Sequence, residues 1–132
     1  MMDRNTAFND GKLFPVPCEA GVKIDAGHLV CVNSAGYAIA GAKASGNLLI
    51  GVCDEAVDNT GGAQGARSVM VRRGLAVFLE NNSGSAVTQA EVGKSCYLHD
   101  SVTVSKTDGG NAPVVGRVLT VSADSGVQVL IG

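Results

Sequence analysis

The chain has no tryptophan, and among its 132 residues only three phenylalanines and two tyrosines supply aromatic surface. That scarcity argues against a deep aromatic-lined ligand pocket and for a core of Val, Leu and Ile between closely spaced strands. Charge of either sign is sparse. Lys and Arg number 10 against 12 Asp and Glu, for a formal net charge of −2. Such a balance creates no field to gather nucleic acid or an anionic membrane. Arg72-Arg73 is the only paired basic element. No apolar run approaches the ~20 residues that span a bilayer. Met1 to Asp10 is polar and lacks a basic-then-apolar leader, so export by that route is not expected. The length suits one domain with one modest core.

Cysteine is present without a cysteine motif. Cys18, Cys31, Cys53 and Cys96 include no C-x-x-C pair, which removes the zinc-ribbon and thioredoxin-like patterns. Three of them sit inside apolar runs, where a free thiol packs as a small hydrophobe. Reduced, buried cysteines are the expectation, in keeping with synthesis and assembly in cytoplasm. His28 and His99 have no spaced Cys, Glu or second His to complete a metal site. Asp54, Glu55 and Asp58 lack the ligand order and turn glycine of an EF-hand loop. Gly61-Gly62-Ala63-Gln64-Gly65 is followed by no Lys-Ser/Thr and sits in no βαβ pattern, so it reads as a flexible loop and not a phosphate cradle. No serine occupies a G-x-S-x-G elbow. No catalytic residue, metal or cofactor is assigned, and the chain is not expected to be an enzyme.

What the chain does contain is an internal echo. Leu49-Ile50-Gly51-Val52-Cys53 is matched by Val114-Val115-Gly116-Arg117-Val118, and Gly27-His28-Leu29-Val30-Cys31-Val32 by Gly93-Lys94-Ser95-Cys96-Tyr97-Leu98. The offset stays at roughly 65 residues, as a duplication requires. Each copy closes with a strand: Ser68 to Gly74 in the first, Gly126 to Gly132 in the second. Between these lie short apolar runs with turn chemistry, including a hairpin signature from His28 through Asn33-Ser34-Ala35-Gly36 to Ala40. Gly74 reads as a bulge or bend between two strands. Thr88-Gln89-Ala90-Glu91 has capping-box spacing and predicts one short helical turn. The expected fold is all-β: a small barrel or sandwich of two similar halves, spanning residues 18–132, with a pseudo-repeat at about 21–80 and 87–132.

Residues 1–17 differ from the rest. Phe8, Leu13, Phe14, Pro15, Val16 and Pro17 stand among polar residues, and the prolines remove two backbone donors. The segment reads as an extended N-terminal arm whose apolar side chains need burial on its own barrel or on a neighbour.

Val57-Asp58-Asn59-Thr60-Gly61-Gly62, Val69 to Gly74, Ala86 to Tyr97, Val102 to Gly109 and Gly116-Arg117-Val118 together resemble the capsid cement, or head decoration, proteins of tailed phages. Upstream Pro17, Gly21-Val22 and Gly27 to Val32 also fit, so the resemblance covers roughly residues 15–132. It implies a β-tulip-like structural virion protein on the outer surface of the expanded capsid, made in the host cytoplasm. Its partners would be the major capsid protein and itself, as a homotrimer, with no direct nucleic acid and no membrane. The contact candidates are Phe8, Leu13, Phe14, Pro15 and Pro17 of the arm, together with Arg72 and Arg73 facing an acidic capsid surface. Two other readings fit parts of the pattern. One is a tail or baseplate β-domain. The other is a small carrier or binding module, in which a lysine at a hairpin tip is modified; Lys43 and Lys106 lie in loops, but neither sits symmetrically between the repeats at a tight tip.

Overall fold

Short apolar runs bounded by glycine turns become twelve strands in the computed structural model, which describes residues 2–132. The first seven are β1 Leu13–Pro17, β2 Lys23–Ile24, β3 Leu29–Val32, β4 Ala38–Ala40, β5 Leu48–Cys53, β6 Val57–Asp58 and β7 Ser68–Arg72. The remaining five are β8 Leu75–Asn81, β9 Ser95–Asp100, β10 Thr103–Ser105, β11 Val114–Ser122 and β12 Gly126–Ile131. The protein is therefore all-β. Its helical content is two 3-10 turns, Ser83–Ser85 and Gln89–Glu91. The second is the turn expected from the capping-box spacing: Thr88 N–H and Oγ1 both donate to Glu91 Oε1 at 2.7 Å. Among the described residues no helix is long and apolar enough to cross a membrane.

The two halves share one strand order. Five strands of the first half run β1-β7-β5-β3-β4, and the second half forms a closed barrel in the order β8-β12-β11-β9-β10. The equivalence extends to single bonds. Gly27 N–H donates to Cys53 O and Cys53 N–H to His28 O, both at 2.8 Å. Gly93 N–H donates to Val118 O at 2.8 Å and Val118 N–H to Lys94 O at 2.9 Å. Leu29↔Val52, Val30↔Gly51 and Cys31↔Leu49 are matched by Ser95↔Arg117, Cys96↔Gly116 and Tyr97↔Val114, with the register shift at the same place.

The structure moves the boundaries expected from sequence. The first unit is residues 13–72 and the second 75–131, so Leu75–Asn81 opens the second unit and does not end the first. Gly74, with φ +75°, is the bend between units. Residues 13–17 are not arm but strand β1, paired with β7 from Leu13↔Arg72 to Pro17↔Ser68. Their prolines are what make the segment read as an arm in sequence. The geometry shows why an edge strand tolerates both. Cys18 N–H donates to Arg67 O at 2.8 Å and Arg73 N–H to Lys12 O at 2.9 Å, so alternate residues face β7. Pro15 and Pro17 fall on the opposite edge, where no ladder donor is needed.

That edge decides which half closes. In the second unit Glu80 N–H donates to Val102 O at 2.8 Å and Asn82 N–H to Val104 O at 3.0 Å, completing a parallel seam between β8 and β10. In the first unit Glu19 N–H keeps the equivalent of the latter bond, to Ala38 O at 3.0 Å. The counterpart of Glu80 is Pro17, which has no N–H to give. The seam there is a single parallel bridge, Cys18↔Ala38.

Two clusters form the core. Cys18, Ile24, Val30, Ala38, Cys53, Val69 and Val71 fill the first unit, under the short β2–β6 pair. Cys96, Leu98, Val104, Val118, Val127 and Val129 fill the barrel, joined by Leu29, Cys31 and Val52 from the first unit. Leu29, Val30 and Cys31 are consecutive and all fully buried, so β3 feeds both clusters from its two faces. Leu29 N–H also donates to Ser101 O at 2.7 Å across the junction.

The echoed glycines have one packing reason. A β-carbon on Gly51 would run into the Arg72 carbonyl oxygen, and one on Gly116 into the Leu130 carbonyl oxygen. Arg72 and Leu130 are themselves equivalent, paired to Val52 and Arg117. Gly116→Ala and Gly51→Ala are each expected to lower stability by roughly 1–3 kcal/mol, the usual cost of overpacking. Urea unfolding monitored by circular dichroism measures it; a midpoint unchanged in both variants would refute the close-approach explanation.

Candidate functional site

The residues expected to make contacts divide by the alternation of β1. Leu13, Pro15 and Pro17 point outward and are exposed, whereas Phe14 and Val16 turn inward against the first-unit cluster. Phe14 is thus committed to its own core and is not a free anchor. Phe8 stays on the arm and is 94% exposed. The arm now means residues 2–12, all exposed, with local turns at Asn9 Oδ1 to Gly11 N–H and Asp10 Oδ1 to Lys12 N–H.

Register brings the arm root and the basic pair together. Leu13 lies directly opposite Arg72. Arg72 Nε donates to Asp54 Oδ1 at 2.9 Å on the surface. Arg73 is exposed, held by its backbone bond to Lys12. Leu13, Pro15, Pro17 and Arg72 therefore share one outward face beside the emerging arm.

A second outward face follows from the duplication and was not expected from sequence. On β8 and β12, Phe78 is 57% exposed, and Leu130 lies opposite Ala76 on the same side. The signal was available in Leu75–Asn81: alternation that buries Leu79 must turn Phe78 outward.

The reactive side chains are spent on packing. All four cysteines are free and buried. Burial raises the pKa of Cys18, Cys31 and Cys53 and pushes Cys96 up to about 11. His28 Nδ1 lies 2.7 Å from Ser101 Oγ, tying the two units, and His99 Nδ1 lies 3.3 Å from Asn82 Nδ2. Among the described residues no group of three His, Cys, Asp or Glu could hold a metal ion. Asp54 serves Arg72, and Asp58 accepts from Thr60 N–H at 2.9 Å, with that residue's hydrogen bonding lowering its pKa.

The Gly-rich loop is pinned from beneath. Asn59 is buried, and its Nδ2 donates to Glu19 O at 2.9 Å and Ala63 O at 3.2 Å. Its Oδ1 rests against Gly62, where a β-carbon would not fit. An open groove runs beside this loop, with Glu55, Asp58, Arg67 and Met70 on its walls. Lys43 and Lys106 are exposed, and Lys43 Nζ lies over Gly109.

No protein-family model, curated protein or solved structure matches the chain.

The thiols predict an alkaline weakness. A thiol whose folded pKa is raised keeps its proton when the unfolded chain has lost it, so stability is full below the unfolded value and falls as pH rises toward the folded one. For Cys96 the window runs from 9.0 to about 11. Urea unfolding free energy should fall across that window, and Cys96→Ala should make the slope shallower. An identical slope in variant and wild type would show that this thiol is not the cause.

Proposed function

We propose that the protein is a structural component of a phage particle, binding the outer surface of the expanded capsid and stabilising it as a cement or decoration protein. The observation that carries this reading is the joining of the exposed arm to an outward face of Leu13, Pro15, Pro17 and Arg72 on a rigid sheet. Phe8 and that face offer apolar anchors beside a basic pair, the arrangement needed to grip a neighbouring protein. The resemblance across residues 15–132 names the major capsid protein as that neighbour. Self-association as a homotrimer belongs to the same reading, and the working location is the virion surface.

Cementing needs no chemistry. A protein that binds only the expanded shell stabilises it by mass action at every site. Repetition over the lattice adds avidity. An extended arm costs about 1–2 kcal/mol per ordered backbone residue, which Phe8 and its neighbours must recover in contact.

The test is to mix purified protein with expanded, undecorated heads, pellet them and count bound copies. Lattice-wide decoration, on the order of hundreds of copies, with greater resistance to heat supports cementing. No binding rejects it, and a few copies at one vertex moves the protein to the tail or baseplate. Removing residues 2–12 leaves β1 in place and is expected to weaken binding at least about tenfold, or about 1.4 kcal/mol. Unchanged affinity and stoichiometry would remove the arm from the interface. Arg73→Ala should reduce the salt dependence of binding more than Arg72→Ala, because Arg72 is already paired with Asp54. Equal, salt-independent binding by both would remove the basic pair from the interface.

A further inference from the structure

The two units do not lie side by side as mirror partners. The outer face of β3, β4 and β5 in the first unit packs onto the second unit, carrying Leu29, Cys31, Ile39, Leu49 and Val52 into the barrel's cluster. This is a head-to-tail contact: one surface of the repeated unit meets a different surface of its twin. A heterologous contact of this kind can in principle repeat without end, adding chain upon chain.

The second unit carries the equivalent face on β9, β10 and β11. The registers assign the counterparts without ambiguity. Leu29↔Val52 becomes Ser95↔Arg117, Cys31↔Leu49 becomes Tyr97↔Val114, and Cys31↔Ile39 becomes Tyr97↔Ser105. Three of the five docking side chains have thus changed from apolar to polar. Burial follows the change on β9 and β11, while Ser105 on β10 is buried and its Oγ accepts from Asn82 Nδ2 at 2.9 Å. Leu29, Val30 and Cys31 are all fully buried, whereas Ser95, Cys96 and Tyr97 alternate exposed, buried and half-buried. Val114, the counterpart of Leu49, is 51% exposed.

We infer that the outer face of β9 and β11 is a blocked self-docking surface, and that Ser95 and Arg117 are the block. The occupant it would otherwise take is a second copy of this chain, presenting the β3–β4 end of its first unit. In the intact chain the receiving end is marked by Ser101, whose carbonyl accepts from Leu29 N–H. Counted between the matching pairs Leu98↔Val104 and Val32↔Ala38, its counterpart in the first unit is Ala35, in the turn between β3 and β4. Polar faces at the ends of stacked repeats have this general role: they stop a packing mode that is favourable inside the stack. Arg117 acts most strongly, since docking would take a guanidinium out of water at the position where Val52 is buried in the first unit. The inference does not depend on the capsid reading.

Sedimentation velocity and light scattering on the full chain test it. Ser95→Leu/Arg117→Val should form species larger than wild type, with a mean mass that keeps rising with concentration and reaches no plateau, as open-ended association requires. Adding Ala35→Arg should return the protein to the wild-type state, because it obstructs the receiving end. Circular dichroism and melting establish that each variant is folded. Should the double variant misfold, Arg117→Val alone, at an exposed position, should show the same growth at higher concentration. Folded variants that keep the wild-type mass at every concentration overturn the inference. So does growth that Ala35→Arg leaves untouched, since that is indiscriminate stickiness and not docking.

Discussion

One strand serving two cores is the constraint on which the molecule depends. β3 is short, yet Val30 points into the first-unit cluster while Leu29 and Cys31 point into the barrel's. Full burial of each such aliphatic side chain is worth about 1.5–3 kcal/mol. Neither unit is large, and a small domain buries too little surface to be secure alone. Sharing β3 lets two marginal cores support each other. It also fixes their relative placement, through Leu29 N–H on Ser101 O and His28 on the Ser101 hydroxyl.

The duplication was legible in sequence because its glycines are dictated by the backbone, through close approach at Gly51 and Gly116 and a positive φ at Gly27 and Gly93. Gly51 and Gly116 stand against equivalent carbonyls, and Gly27 and Gly93 make equivalent bonds. The boundaries were not legible. Pro15 and Pro17 made β1 look like arm, because a proline's cost in a strand depends on which edge its nitrogen faces, and sequence does not display edges. With β1 read as arm, the bounds of the units fall late and β8 goes to the wrong one, although the alignment of the two copies holds. The contact residues show the same limit. Composition marked Phe8, Leu13 and Phe14 alike as apolar residues in need of burial. Pairing with β7 separates them, turning Phe14 into the core and Leu13 out beside Arg72.

Duplication also lets the two units differ without losing the fold. Equivalent positions carry Pro17 or Glu80 at the seam, Leu29 or Ser95 at the docking face, and Pro15 or Phe78 on the outer face. The framework of glycines and buried valines is held constant, while edges and surfaces vary. On the proposed reading, contact specificity lies in those variable positions. The thiols and His28 vary too: Cys31, Cys53 and Cys96 stand at the positions of Tyr97, Val118 and Val30, and His28 at that of Lys94.

The joining of Lys12 to Arg73 has a mechanical consequence. The arm enters at Leu13, and its last backbone bond is to Arg73, one residue before the Gly74 bend; Gly74 N–H in turn donates to Ile131 O of the barrel at 2.7 Å. A pull on the arm is therefore delivered to the joint between the units and not to a free corner of one. The load divides between the β1–β7 ladder and the closed barrel behind it. A tether rooted there can transmit tension while the open seam of the first unit, on the far side of β1, carries little of it.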